Sequence, residues 1–201
     1  MNRSQRQARR ITNVVVRFPF LWPLLRGRMT KLFDDVAPHW DAMTSPERMV
    51  AFEAALEHVP GEPRSIVDLG TGTGDGAVAM AERWPGAEVV GIDVSREMLE
   101  EARRKAPQLR FEVGDASRLE VPDGAFDLVA MNNMIPFVAE LARITQPGGH
   151  VLLAFARGDE TPIYVPPGIL RRKLDRAGFE EIAEIGAEPG TAMVARRAET
   201  Q

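Results

Sequence analysis

The sequence predicts an α/β fold: a doubly wound, mostly parallel sheet with helices on both faces. Two observations predict it. From residue 65 onward, short β-branched apolar runs alternate with longer stretches of helical pattern. The first of those runs also passes through a glycine turn into a helix-forming stretch, in residues 67–77, VDLGTGTGDGA. Ile66 and Val67 close an apolar run that reads as a buried strand, and Asp68 breaks it with a carboxylate. Gly70, Gly72, Gly74 and Gly76 follow at alternate positions, and residues 77–81 are good helix formers. Strand, glycine turn, helix is the geometry that lets backbone approach a bound nucleotide closely. A ligand there meets unpaired N–H groups at a helix N-terminus.

The elements follow in order. Residues 1–31 form a basic arm. Arg3, Arg6, Arg9, Arg10, Arg17, Arg26, Arg28 and Lys31 give it a charge of +8 without an acid, in a chain whose net charge is −4. The body is therefore acidic. A basic arm on an acidic body suits an anionic membrane surface, nucleic acid or the arm's own body. The apolar content of 18–25, FPFLWPLL, favours peripheral membrane or partner contact through residues 14–31 over RNA. That run is too short to span a bilayer, and no small-residue cleavage site follows it. A cytoplasmic protein is expected, with any membrane contact peripheral and on the inner face.

Residues 32–63 read as a helical lid. Ser45 is placed as an N-cap before Pro46, with a helix to about Val59 whose Met49, Phe52, Leu56 and Val59 share one face. Residues 64–197 then alternate. Strands are expected at 65–69, 88–92, 109–113, 126–131 and 150–156, with two more at 180–185 and 191–195. Helices are expected at 74–83, after a Ser95 cap, at 137–144 and at 169–177. Asp68, Asp93, Asp115 and Asn132 all fall at or just beyond strand ends, where ligands of open α/β sheets bind. The absence of cysteine excludes disulfides, thiolate metal sites and cysteine nucleophiles. With only three histidines, no metal is expected.

Asp93 stands about 20 residues beyond the glycine turn, where an acid can accept both ribose hydroxyls of a nucleotide. A nicotinamide site and an adenosyl site predict this equally. Three features favour the adenosyl site. Asp68 is unwelcome beside a pyrophosphate but can serve an ammonium group. Asp115, in Gly114-Asp115-Ala116, adds an acid that can accept from an adenine amino group. And the roughly 50 residues after Pro147 are too few for a catalytic dehydrogenase domain, so none is expected.

Over residues 65–196 the chain resembles the class I S-adenosyl-L-methionine-dependent methyltransferases. VDLGTGTG, GIDVS, GDA, FDLVAMNN and ELARITQPGGHVLLAF match that family's successive motifs. The resemblance implies a Rossmann-like sheet of seven strands, the last one antiparallel, with S-adenosyl-L-methionine as cofactor. It implies that Gly70, Thr71, Gly72 and Gly74 wrap the methionine part and that Asp68 helps hold its amino end. Asp93 would take the ribose hydroxyls, Val94 would lie against the adenine, and Asp115 and Ala116 would meet its edge. Met131 and Asn132 would sit near the sulfonium.

Residues 32–43, LFDDVAPHWDAM, are also similar to the F-D-x-V-A-x-x-Y-D-x-M stretch of ubiquinone/menaquinone C-methyltransferases, with Trp40 in place of the tyrosine. The lid role is what this second resemblance implies. The catalytic residues are not fixed by the sequence; His39, with Asp41 beside it, is the candidate base. Tyr164 is a candidate for the acceptor pocket. The expected partner is a small, apolar or membrane-associated methyl acceptor. An RNA or protein methyltransferase using the basic arm and a non-catalytic adenosyl-binding module remain open as alternatives.

Overall fold

A computed structural model describes residues 3–199. Its centre is β1, Ser65–Leu69. Ile66, Val67 and Leu69 are all fully buried. Continuous apolar burial is what a strand covered on both faces requires. β1 lies parallel to β2 (Glu88–Asp93) on one side and to β4 (Phe126–Asn132) on the other. With β3 (Arg110–Val113), β5 (Thr145–Phe155), β6 (Phe179–Ala187) and β7 (Gly190–Arg197), the order is β3-β2-β1-β4-β5-β7-β6. β7 runs antiparallel to both neighbours. The seven-stranded sheet with an antiparallel last strand is therefore as expected. Strand order reverses between β1 and β4, which opens a crevice at their carboxyl ends. Register places those ends together: Leu69 pairs with Ile92 and Met131, and Asp93 with Val113.

Alternate side chains of the central strands enter two cores. Val67, Leu69, Val129, Met131, Val151 and Leu153 face α7 (Val138–Ile144) and α8 (Pro167–Arg176). Ile66, Leu128, Ala130, Leu152 and Ala154 face the helices α4 (Val50–Leu56), α5 (Asp75–Arg83) and α6 (Arg96–Lys105). Ser95 caps α6 as expected, its hydroxyl accepting from the Met98 N–H at 3.1 Å.

The N-terminal arm folds into two helices, α1 (Arg3–Arg17) and α2 (Trp22–Asp34). Ala8, Ile11 and Val15 of α1 and Trp22 and Met29 of α2 are buried in the same core as β1 and β4. The arm is thus a helical hairpin seated on the sheet.

The Ser45 cap is not formed. Residues 46–49 make a 3-10 turn, α4 begins at Val50, and the Ser45 side chain bonds no backbone N–H of the turn. The local cause is Arg48. Its carbonyl accepts from Asn132 Nδ2 at 3.2 Å and its guanidinium reaches Asp75 at 2.6 Å. Those bonds hold the first turn out of regular helix. The short α3 (Trp40–Met43) precedes it.

Candidate functional site

The glycine turn after β1 is bent by three left-handed residues. Gly70, Gly72 and Gly74 have φ of 66°, 56° and 88°, a region that costs other L-residues about 1–2 kcal/mol. The Gly70 and Thr71 N–H groups donate to the Ile92 carbonyl, tying the turn to β2. A Cβ at Gly72 would meet nothing within 4 Å, so this backbone faces open space.

Asp68 lies beneath the turn, fully buried. It accepts from Thr71 Oγ1 at 2.7 Å and from the Ala77 N–H. Burial pushes its pKa up to about 7 against those bonds, and the Asp93 and Asp75 charges add to the rise. The Asp68 carboxylate also explains Gly76, where a Cβ would come within 2.7 Å of Oδ2.

Asp93 accepts from the Gly72 N–H through Oδ2 and from the Ser95 N–H through Oδ1, both at 2.9 Å. Burial raises its pKa, while those N–H groups pull the other way. The Val94 N–H donates to the carboxylate as well. Nearby, Asp34 of α2 takes the Ser95 hydroxyl at 2.6 Å.

These groups form one wall of a cavity of about 440 Å³, within the range of roughly 300–1,000 Å³ for ligand sites. Of the residues named from the sequence, Asp68, Gly70, Thr71, Gly72, Asp93, Val94, Ala116 and Asn132 are brought together in its lining. The opposite wall is apolar: Trp22, Met29 and Phe33 of α2, Trp40 of α3, and Met134 and Phe137 after β4. Asn132 Oδ1 is a buried acceptor without a partner among the described residues. A buried polar atom left unpaired costs about 1–3 kcal/mol. It fits a ligand that donates or carries positive charge.

Six candidates stand elsewhere. Met131 is buried in the sheet core, and Gly74 begins α5 with its Cβ position against Phe111, so neither lines the cavity. Asp115 is sealed by α2: Trp22 Nε1 donates to it at 2.8 Å and Arg26 Nη1 at 2.7 Å, while the Ser117 N–H donates at 2.9 Å. Burial alone would raise its pKa, but those donors outweigh it and hold the carboxyl below the usual range. The Trp22 indole, tilted against Phe137 at 5.3 Å between ring centres, faces the cavity where Asp115 was expected.

His39 is exposed and outside the cavity lining. Asp41 ties α3 to the glycine turn. It accepts from Thr73 at 2.8 Å and pairs with Lys105 at 2.6 Å and Arg48 at 3.2 Å. Burial pushes its pKa up, but Lys105, Thr73 and Arg48 together hold it below the usual value, which makes it a weaker base than a free carboxylate. Tyr164, also outside the lining, packs edge-on against Phe155.

Sequence reasoning missed the contribution of α2. Its signal was present: Trp22, Leu25, Met29, Leu32 and Phe33 fall on one helical stripe.

Residues 66–149 match the family model described as "Methyltransferase domain". That segment, the larger part of the sheet and its crevice, is therefore similar to methyltransferase domains. The chain is 37% identical over 139 residues to the demethylmenaquinone methyltransferase of Deinococcus radiodurans, a match covering 61% of this chain and 58% of that protein. The same enzyme of Thermus thermophilus is 38% identical over 141 residues, covering 61% and 63%. A trans-aconitate 2-methyltransferase from an Azoarcus species is 34% identical, covering 62% and 54%. The matches thus span less than two thirds of these relatives' lengths. Among solved structures, an S-adenosylmethionine-dependent methyltransferase of Aquifex aeolicus superposes with a TM-score of 0.64 at 19% identity, over 81% of this chain and 98% of that one. Phosphoethanolamine N-methyltransferase 2 of Haemonchus contortus, solved with S-adenosyl-L-methionine, gives 0.64 at 16%, over 74% and 52%. These solved structures share this chain's fold.

Proposed function

We propose that this protein is an S-adenosyl-L-methionine-dependent methyltransferase acting on a small, predominantly apolar acceptor. One observation carries the reading: a wall of glycine backbone and carboxylates faces a wall of aromatic and sulfur side chains across a single cavity. The first suits a cationic, hydroxyl-bearing cofactor and the second an apolar acceptor.

When bound, the cofactor supplies an electrophilic methyl group on a sulfonium. The residues of this chain bind and align. Asp93, a carboxylate in the cavity wall, would accept from the ribose hydroxyls. Val94, Gly114 and Ala116 would hold the adenine, with the Trp22 indole fixed by Asp115 as a wall. Asp68 and the unpaired Asn132 Oδ1 would face the cationic end. Residues 22–49 close over the acceptor and exclude water, so that alignment contributes much of the rate. Neither His39 nor Asp41 stands ready as a base, which favours an acceptor that is already nucleophilic.

The apolar acceptor is supported by Phe33, Trp40, Met134 and Phe137 along the lining and by similarity to quinone-pathway methyltransferases. An RNA acceptor is less well supported. Arg26 is engaged with Asp115, and Arg9 holds the carbonyls of Asp159, Thr161 and Pro162.

Calorimetric titration tests the reading. Micromolar binding of S-adenosylmethionine and S-adenosylhomocysteine is expected, and no binding of NAD. The reverse pattern would refute it. Radiolabelled methyl transfer should then appear in the organic-soluble fraction of a cell extract, not in its RNA.

A further inference from the structure

The N-terminal hairpin has two faces, and only the inner one is explained by the cavity. Trp22 and Met29 of α2 and Ala8 of α1 point inward and line it. The outer face carries Phe20 and Leu24, 74% and 78% exposed, with Phe18 and Val14 beside them. Phe20 and Leu24 are one helical turn apart. Val14 and Phe18 are likewise joined by a turn, through the Phe18 N–H and the Val14 carbonyl at 2.8 Å.

Arginines surround this patch. Arg17 lies over the Phe18 ring at 5.4 Å. Arg10 and Arg28 are exposed and pair with no acid among the described residues. No acid occurs before Asp34. Exposed aromatic and leucine side chains ringed by arginine, on a helix too short and polar to cross a bilayer, are the signature of a segment lying in a membrane interface.

We propose that the outer face of the α1–α2 hairpin docks on an anionic lipid surface. The charge decides the occupant. A second copy of this chain would bring Arg10, Arg17 and Arg28 against their own kind. An anionic headgroup layer neutralises them while the acyl boundary receives Phe20 and Leu24. Because α2 is also a wall of the cavity, docking sets the acceptor site against the lipid. That consequence rests on the methyltransferase reading; the docking itself does not.

The test is co-sedimentation of the full chain with vesicles of phosphatidylcholine alone and of phosphatidylcholine mixed with phosphatidylglycerol, at low and high salt. Binding to the anionic vesicles is expected, weaker by roughly tenfold on neutral vesicles or in high salt. The paired substitutions Phe20→Ser with Leu24→Ser, and Arg10→Glu with Arg28→Glu, should each lower partitioning by roughly tenfold. Both pairs are exposed, so the melting temperature should not move. Equal partitioning of wild type and both variants overturns the proposal. So does binding of RNA without binding of vesicles, or a wild-type dimer that Phe20→Ser with Leu24→Ser dissolves. A chain that binds S-adenosylmethionine yet ignores vesicles sinks the docking alone. One that binds vesicles but not the cofactor sinks the methyltransferase reading alone.

Discussion

Asp68→Asn separates a cost to the fold from a benefit to binding. The Asp68 carboxyl is buried, and its pKa rises from 3.8 to about 7. Each tenfold gain in proton affinity is about 1.36 kcal/mol, so this roughly thousandfold gain sets a ceiling near 4 kcal/mol on the cost of ionising the carboxyl in the folded state. The sign follows from proton counting. Below about pH 4 both folded and unfolded chains hold the proton, and stability is intact. Between about pH 4 and 7 the unfolded chain ionises first, the folded chain binds more protons, and stability falls as pH rises. Above about 7 both are ionised and the loss is complete.

Asparagine is nearly isosteric and cannot ionise. Its amide can still accept from the Ala77 N–H and donate to the Thr71 hydroxyl. Urea unfolding without cofactor, at several pH values, should therefore show the variant gaining about 2–4 kcal/mol on wild type between pH 4 and 7, then running parallel. Parallel curves across that whole range would refute the buried, protonated carboxyl. The benefit appears on binding. An ammonium beside Asp68 favours its ionised form, so cofactor binding at pH 6 should release close to one proton, measured by calorimetry in buffers of different ionisation enthalpy. Asp68→Asn should abolish that release and weaken binding.

Asp93→Ala removes two charge-assisted bonds expected to the ribose and should weaken S-adenosylmethionine by roughly 2–4 kcal/mol in titration; an unchanged affinity would make Asp93 a purely structural link between the turn and Ser95. Gly76→Ala should reverse the usual helix rule. Alanine normally gains about 0.5–1 kcal/mol over glycine, but here its Cβ would meet Asp68 Oδ2 at 2.7 Å, so a loss of about 1–3 kcal/mol in denaturant unfolding is expected. Trp22→Phe keeps an aromatic wall but loses the indole bond to Asp115, costing about 1.5–3 kcal/mol in the same assay; no loss would mean that bond adds nothing.

The glycine-and-carboxylate wall of the cavity was legible in the sequence because its groups sit at strand ends. A parallel sheet brings strand ends together whatever the loops do, so Asp68, Asp93 and Asn132 could be placed beside one another from their spacing alone. Asp115 shows the limit of that logic. Strand position put it at the right edge, but a residue from 93 positions earlier in the chain, Trp22, reached it first. The apolar wall was illegible for the same reason throughout. It comes from residues 22–49 and 134–137, and in each segment the apolar side chains read equally well as core.

The basic arm was legible as charge and not as place. Its cations do different jobs. Arg9 and Arg26 are turned inward, onto backbone carbonyls and Asp115, and hold the hairpin over the sheet. Arg17 lies over Phe18, while Arg10 and Arg28 remain outside. Such a division cannot be read from composition, because inward and outward arginines alternate at helical spacing within one run. It follows that shortening the arm is a poor probe of its outer face. Removing residues 1–27 would also strip Ala8, Ile11, Val15 and Trp22 from the core, and lost stability would mask any lost surface. Point substitutions at Phe20, Leu24, Arg10 and Arg28 leave that core intact, so only they can distinguish a hairpin that merely closes the cavity from one that also carries it to a membrane.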